Sequence, residues 1–491
     1  MIHPSRPFKA LTVCLLMALC SACSNSTRPP CRDQAHPPNF VIIFVDDLGY
    51  ADVGVYGAQG FKTPHLDRMA AEGMRFTDFY VAQAACSASR AALLTGCYPN
   101  RIGIPPALSP QATIGLHDGE ETIAEILRKR GYVSGIFGKW HLGHQPQFLP
   151  LNHGFDEYLG LPYSNDMWPL DYDNTLAPPD HRKAKHPWLP LIENDRKVQE
   201  LTQPQDQDQL TTLYTESAVR FIEKHKEKPF FLYLAHSMPH APLGVSEKFQ
   251  GKSEQGRYGD VVMELDWSVG RILEALKTHR LDRSTLVVFT SDNGPWLNFG
   301  DHAGSAYPFR EGKGSSWEGG VRVPCIMRWP GHIPAATVCD EIAAAMDLLP
   351  TFADLAGAEL PEFPIDGINI RPLLEAVPGA VPRESLIYFY GKQLQCIRQG
   401  HWKLHLPHSY RSYQGVEPGT GGIPGPYSQG TTGWELYNLE KDPGEQHNLA
   451  DRFPEMVREL KSLAEEARRE LGDRDLSGRG FRRPGSVRRD K

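Results

Sequence analysis

The sequence has no excess of positive charge. Its 52 lysines and arginines stand against 59 aspartates and glutamates in 491 residues, a formal net charge of −7. That balance excludes a general attraction to nucleic acid. The apolar run at the N-terminus, ALTVCLLMALCSA at 10–22, is too short to cross a bilayer comfortably. No internal repeat is visible, so stacked-repeat architectures are set aside. Cysteine is sparse, with nine in the chain. Cys14 and Cys20 fall in the N-terminal run, and the cysteines that follow Cys23 show no C-x-x-C pair of the kind that holds zinc. With Cys23 and Cys86 given roles of their own, the remainder (Cys31, Cys97, Cys325, Cys339 and Cys396) is odd in number. A disulfide framework does not fit.

What is present is ordinary globular composition, 40% hydrophobic and 23% charged, with enough length for a large core or two domains. Arg6 and Lys9 precede the short apolar run, and Cys20-Ser21-Ala22 offers small residues for cleavage. Residues 1–22 read as a secretory signal, and 23–38 as a polar, proline-bearing linker. Cys23 then becomes the first mature residue. That start resembles a bacterial lipoprotein, exported to the periplasm or cell envelope and tethered to membrane through lipid on Cys23; the alternative is ordinary secretion with a free N-terminus.

Strands alternate with helices over 39–365. NFVIIFV (39–45) is a continuous apolar run, as a strand buried on both faces requires. YVSGIF (132–137), PFFLYLA (229–235) and STLVVFT (284–290) follow, separated by helical patterns such as TESAVRFIEKHK and DVVMELDWSVGRILEALKTH. The pattern predicts an α/β fold, a large and mostly parallel sheet sandwiched by helices. Past residue 365, short strand-like runs and the amphipathic segment 454–471 predict a smaller α+β domain with an antiparallel sheet, spanning 366–476. The basic end, 477–491, reads as a disordered, solvated tail. The segment 162–210, rich in proline and tryptophan, reads as a loop over a pocket. There Trp168 and Trp188 offer faces for sugar rings, but core packing is the preferred reading for either residue singly.

Each strand is followed by chemistry: Asp46-Asp47 after the first, Lys139 and His141 after the second, His236 and His240 after the third, Asp292-Asn293 after the fourth. Open α/β sheets bind ligands beyond the carboxyl ends of their strands. Each piece alone has a bland reading as a turn or a helix cap, but four at one edge point to a single polar site. Asp46, Asp47, Asp292 and Asn293 offer oxygen ligands, which suit a hard divalent ion, calcium before magnesium, and not zinc. Arg90, Lys139 and Lys313 add cations suited to a tetrahedral oxyanion.

The stretch CSASRAALLTG (86–96) resembles the signature of the sulfatase family, C-x-(P or A)-x-R followed by x-x-x-L-T-G. VDDLGY, GKWHLG, HAP, SDNG, GKGSSWEGGVRVP, MDLLPTFADLAG and LYNLEKDPGEQHNL agree in order over nearly the whole mature chain, and YLGLPYSNDMWP resembles the arylsulfatase A-like branch. The resemblance implies an alkaline-phosphatase-like fold and hydrolysis of a sulfate ester by a formylglycine made from Cys86. It also implies calcium bound by Asp46, Asp47, Asp292, Asn293 and residue 86. By the same resemblance, Arg90 and Lys139 hold the hydrated aldehyde and His141 is the base for the second step. His240 and Lys313 contact the sulfate and help protonate the leaving oxygen, and Ser164 hydrogen-bonds near it. His236 is left structural. The implied partners are a sulfated glycan or aryl sulfate and a formylglycine-generating maturation enzyme. Ala88 stands where many members have proline, which bears on which maturation enzyme acts. Two rival readings are a phosphodiester or phosphonate monoester hydrolase of the same fold, and a non-catalytic binder of sulfated glycans.

Overall fold

The four apolar runs lie side by side in the middle of a ten-stranded sheet. The computed structural model describes residues 37–487. The N-terminal expectations (signal 1–22, lipid on Cys23, most of the linker) and residues 488–491 of the tail lie outside the described residues. The central strands are β1 (Asn39–Val45), β2 (Val133–Gly138), β3 (Glu157–Gly160), β4 (Phe230–Ala235) and β5 (Thr285–Ser291). They run parallel in the order β5-β1-β4-β2-β3.

Each residue of β1 is buried, and its side chains alternate between two cores. Phe40, Ile42 and Phe44 enter one, while Val41, Ile43 and Val45 enter the other. Helices cover both faces, as a fully buried parallel sheet requires. α1 (Cys86–Thr95) and α4 (Leu348–Ala356) pack with the first core, α2 (Leu210–His225) and α3 (Gly256–Thr278) with the second.

The antiparallel sheet expected at the C-terminus is present as β6 (Ser385–Tyr390), β7 (Gln393–Gln399), β8 (Trp402–His405) and β11 (Glu435–Asn438). Between the last two, β9 (His408–Ser412) and β10 (Ser428–Thr432) form a separate hairpin. α5 (Pro454–Leu471) packs Val457, Leu460, Ala464, Ala467 and Leu471 into the first core, with Leu386, Ile397, Leu404 and Leu436 of this sheet. The core is thus continuous across residue 366.

Two expectations are corrected, and for Trp168 the core reading holds. Residues 477–487 are ordered, because the basic residues find acidic partners. Arg482 pairs with Glu120 at 2.6 Å, Arg479 with Glu470 at 2.6 Å, and Gly485–Ser486 pairs as a strand with Ile114–Gly115. The segment 162–210 is only partly loop, since Leu189–Glu193 and Arg196–Leu201 extend the central sheet by two antiparallel strands. Trp168 is fully buried, packed edge-on to Trp188 at 6.4 Å, and offers no face to a sugar. All five cysteines among the described residues are free and buried. No described helix is long and apolar enough to cross a membrane.

Candidate active site

Beyond the carboxyl ends of the parallel strands, β1 delivers Asp46 and Asp47, β2 delivers Lys139 and His141, β4 leads to His240, and β5 delivers Asp292 and Asn293. Cys86 is the first residue of α1, entered from an extended Ala85. The whole of α1 is buried, and the Ser87 and Ala88 amides donate to the Pro106 carbonyl at 3.0 and 3.4 Å. Three non-glycine residues here have left-handed backbone: Asp47 (φ 67), His141 (φ 62) and Glu311 (φ 60). Such conformations cost about 1–3 kcal/mol each and persist only where surrounding contacts fix them.

Donor atoms of Asp46, Asp47, Cys86 and His240 lie within 4.8 Å of one another. Asp292 joins them through the Asp47 amide, which donates to its Oδ1 at 3.1 Å. Asn293 Nδ2 donates to Asp47 Oδ1 at 2.7 Å. Three cations interleave with the three carboxylates. Arg90 spans Asp292 (2.8 Å) and Asp46 (3.2 Å), and donates to the Lys139 carbonyl at 3.0 Å. Lys139 Nζ pairs with Asp46 and reaches Ser164 Oγ at 3.2 Å. Lys313 Nζ bonds both Asp47 oxygens, at 2.6 and 2.8 Å, and Cys86 Sγ at 3.4 Å. All the residues singled out from the sequence for this site are therefore gathered together. His236 stands apart, bonded to Ser268 Oγ at 3.0 Å, in keeping with a structural part.

The electrostatics follow from burial and charge. Burial pushes Asp47 up to about 7, against the pull of Lys313 and with the help of neighbouring Asp46 and Asp292. Burial works the same way on Asp46, but Lys139, His240, Arg90 and Lys313 together outweigh it and hold the carboxyl well below the usual range. The Cys86 thiol is pushed by burial to about 12, so it stays protonated and is inert as a nucleophile. Burial and the adjacent Lys139 keep His141 neutral, well below the ordinary histidine value. Its Nε2 meets the Leu108 carbonyl at 2.9 Å, which makes Nε2 the protonated nitrogen; Nδ1 is buried without a partner. That leaves a lone pair free to take a proton. His240 Nδ1 donates to the Ala241 carbonyl at 2.6 Å, and Nε2 faces Ser164 Oγ (3.4 Å) and Asp47 (3.7 Å).

A hard divalent cation fits this donor set. The Asn293 Oδ1 acceptor is buried with no partner, beside carboxylates that otherwise lean on lysines. Asp46, Asp47, Asp292, Asn293 and residue 86 are the groups that would hold it.

The C-terminal segment reaches this centre through residues that carried no motif signal. Trp296 directly follows SDNGP, and its ring lies 4.6 Å from Lys313 Nζ and 5.1 Å from the His240 ring. Its adjacency to that motif was the one available clue. Tyr413, Tyr427 and Arg411 come from the hairpin and the glycine-proline loop, where no sequence pattern marks them. Glu445, inside LYNLEKDPGEQHNL, accepts from the Glu318 amide at 2.8 Å, and Lys403 bridges Glu318 and Glu445 at 2.9 Å each. That buried network anchors the segment 310–318 that carries Lys313.

Residues 38–358 match the Sulfatase family, and residues 312–470 match the family described as N-sulphoglucosamine sulphohydrolase, C-terminal. The chain is 41% identical over 456 residues to arylsulfatase A of Homo sapiens, covering 87% of each protein. To N-acetylgalactosamine-6-sulfatase of Sus scrofa it is 38% identical over 472 residues, covering 91% of this chain and 88% of that one. Among solved structures, the PsFucS1 sulfatase from Pseudoalteromonas sp. superposes with a TM-score of 0.79 at 27% identity, covering 90% of this chain and 93% of that one. Site geometry, whole-chain likeness and shared fold agree: the chain belongs to the sulfatase family and is a sulfuric ester hydrolase.

Proposed function

We propose that this enzyme cleaves its sulfate ester with a formylglycine formed from Cys86, in a site that takes calcium. The observation that carries the reading is the state of Cys86. A thiol pushed up by burial to about 12 stays protonated, and its Sγ meets the Lys313 ammonium at 3.4 Å and the Asp46 carboxylate at 3.7 Å, with no hydrogen bond to a histidine base among the described residues. The same position occupied by a hydrated aldehyde supplies two geminal hydroxyls, one to attack sulfur and one whose deprotonation lets the sulfate leave. Cys86 is 4% exposed, and Ser87, Ala88, Ser89 and Arg90 are fully buried. A maturation enzyme that reads C-S-A-S-R must therefore act before the chain folds.

Around position 86 each residue has a physical task. Arg90 and Lys139 present fixed positive charge to the oxygens on residue 86. His141 offers its unpartnered Nδ1 as the base for the second step. Lys313, His240 and Ser164 contact the sulfate, and the Lys313 ammonium supplies the proton that, with His240 beside it, reaches the departing oxygen. Asp46, Asp47, Asp292, Asn293 and residue 86 would hold a calcium ion, which would add positive charge in a buried site where little water screens it.

The substrate is a sulfated glycan or an aryl sulfate; the similarity to N-acetylgalactosamine-6-sulfatase favours a sulfated sugar. The short apolar start and Cys23 support export with a lipid tether at the cell envelope. The test is an assay of matured protein on an aryl sulfate and on an aryl phosphodiester. Preference for the sulfate supports the reading. Preference for the phosphodiester moves the enzyme to the rival hydrolase class, and turnover of neither these nor a sulfated sugar leaves only sulfated-glycan binding.

A further inference from the structure

Arg411 differs from the other cations near the centre. Arg90, Lys139 and Lys313 are each held by carboxylates, and Lys183 lies 3.6 Å from Asp171. Arg411 has no carboxylate within 4.0 Å among the described residues. Its guanidinium instead lies over the Tyr427 ring, 4.1 Å from the centroid, with one long bond of 3.4 Å to the Tyr427 hydroxyl. The side chain is partly exposed. A guanidinium satisfied by an aromatic face keeps most of its five donors available, and two of them match a carboxylate or sulfate side by side.

Its place relative to Lys313 is set by short contacts. A methyl group at Gly314 would stand 3.4 Å from Arg411 Nη1, so the guanidinium rests against the backbone next to Lys313. Tyr427 accepts from Trp296 Nε1, and Lys313 Nζ sits over the Trp296 ring. Tyr413 packs edge-on to Tyr427 at 5.5 Å and donates to the Lys313 carbonyl at 2.6 Å. From Lys313 outward the wall reads Trp296, Tyr427, Arg411: an aromatic surface ending in an unpaired cation.

We propose that Arg411 is a second anion-binding point, so that the preferred substrate carries, besides the scissile sulfate, another sulfate or a carboxylate on the same or the adjoining ring. This rests on the reading of Lys313 as a sulfate contact. The aromatic wall orients the ring, and Arg411 reads the second charge.

The experiment compares three sulfated disaccharides: one with a single sulfate, one with two, and one with a single sulfate and a uronate. Wild type, Arg411→Gln and Arg411→Lys are matured alike, and kcat/KM is measured for each. Wild type should favour a doubly anionic substrate by about tenfold or more, as expected for a charge-assisted bidentate contact. The larger of the two ratios tells sulfate from carboxylate. Arg411→Gln should bring that ratio close to one, chiefly through KM, and Arg411→Lys should keep part of it. A wild-type ratio near one, or a ratio unchanged by Arg411→Gln, overturns the proposal. Failure of wild type on all three sugars and on an aryl sulfate overturns the sulfate-ester reading beneath it, a result distinct from turnover without preference.

Discussion

The Tyr413 hydroxyl donates to the Lys313 carbonyl at 2.6 Å, across 100 residues of chain. The same hairpin fixes Glu311, whose carboxylate accepts from Ser412 Oγ at 2.6 Å and the Tyr413 amide at 2.8 Å. The left-handed turn before Lys313 is thus imposed from the C-terminal part of the chain. Tyr413→Phe removes one neutral hydrogen bond, about 1 kcal/mol. It should lower kcat about fivefold while the melting temperature changes little. A variant with unaltered kcat would show that Lys313 holds its place without this bond.

Asp292 accepts from Arg90 and from the Asp47 amide, and its replacement disturbs both the cations and the metal set. Exhaustive chelation should abolish turnover, and added calcium should restore it. Asp292→Asn should lose about a hundredfold or more in kcat and stay impaired at calcium levels that saturate wild type. Full activity after chelation would contradict the calcium assignment.

His240 stands beside Ser164 and Asp47, facing the sulfate contact. If it protonates the leaving oxygen, His240→Ala should cost about a hundredfold or more on alkyl sulfates and far less on nitrophenyl sulfate, whose phenolate needs no proton. Equal losses on both would remove that role from His240 and leave it as a sulfate contact.

His153 tests the electrostatics of the core away from the site. Both of its ring nitrogens are buried without partners, its ring stacks on Trp140 at 5.8 Å, and burial pushes it down to about 4. In the unfolded chain it titrates near 6.5, so between these values the unfolded state binds more protons. Stability is therefore full above pH about 6.5 and falls as pH drops toward 4, by at most about 3 kcal/mol from this group. His153→Phe should flatten the decline of melting temperature between pH 7 and 5. Parallel declines in wild type and variant would place the acid sensitivity elsewhere.

The sheet was legible because its strands are buried on both faces. NFVIIFV matches β1 residue for residue, YVSGIF and STLVVFT are displaced by a single position, and PFFLYLA starts one residue before its strand. Asp46, Asp47, Lys139, His141, His240, Asp292 and Asn293 were legible for a related reason, since they follow the carboxyl ends of apolar runs, while Cys86 and Arg90 lie in the small-residue helix α1 and Lys313 and Ser164 were marked by the family resemblance. What escaped was structure held by distant partners. β10 lies within a glycine-proline loop and exists through pairing with β9. Residues 477–487 look solvated until Arg482 meets Glu120. Arg411, Tyr413 and Tyr427 reach the site through the hairpin, and no local spacing encodes that approach. Trp168, whose preferred reading was core packing, is buried in the core.

The central claim concerns one atom at position 86, and the direct measurement is the mass of the peptide that carries it, taken from fully active enzyme. The account predicts an aldehyde in place of the thiol, trapped by a carbonyl reagent, with specific activity proportional to the converted fraction. Cys86→Ser, expressed where no enzyme oxidises serine, should then release about one equivalent of alcohol per site and stop, because a single hydroxyl can attack sulfur but has no second hydroxyl to expel the sulfate. An unmodified Cys86 in fully active protein, or sustained turnover by a variant whose serine is shown to be intact, would contradict the mechanism.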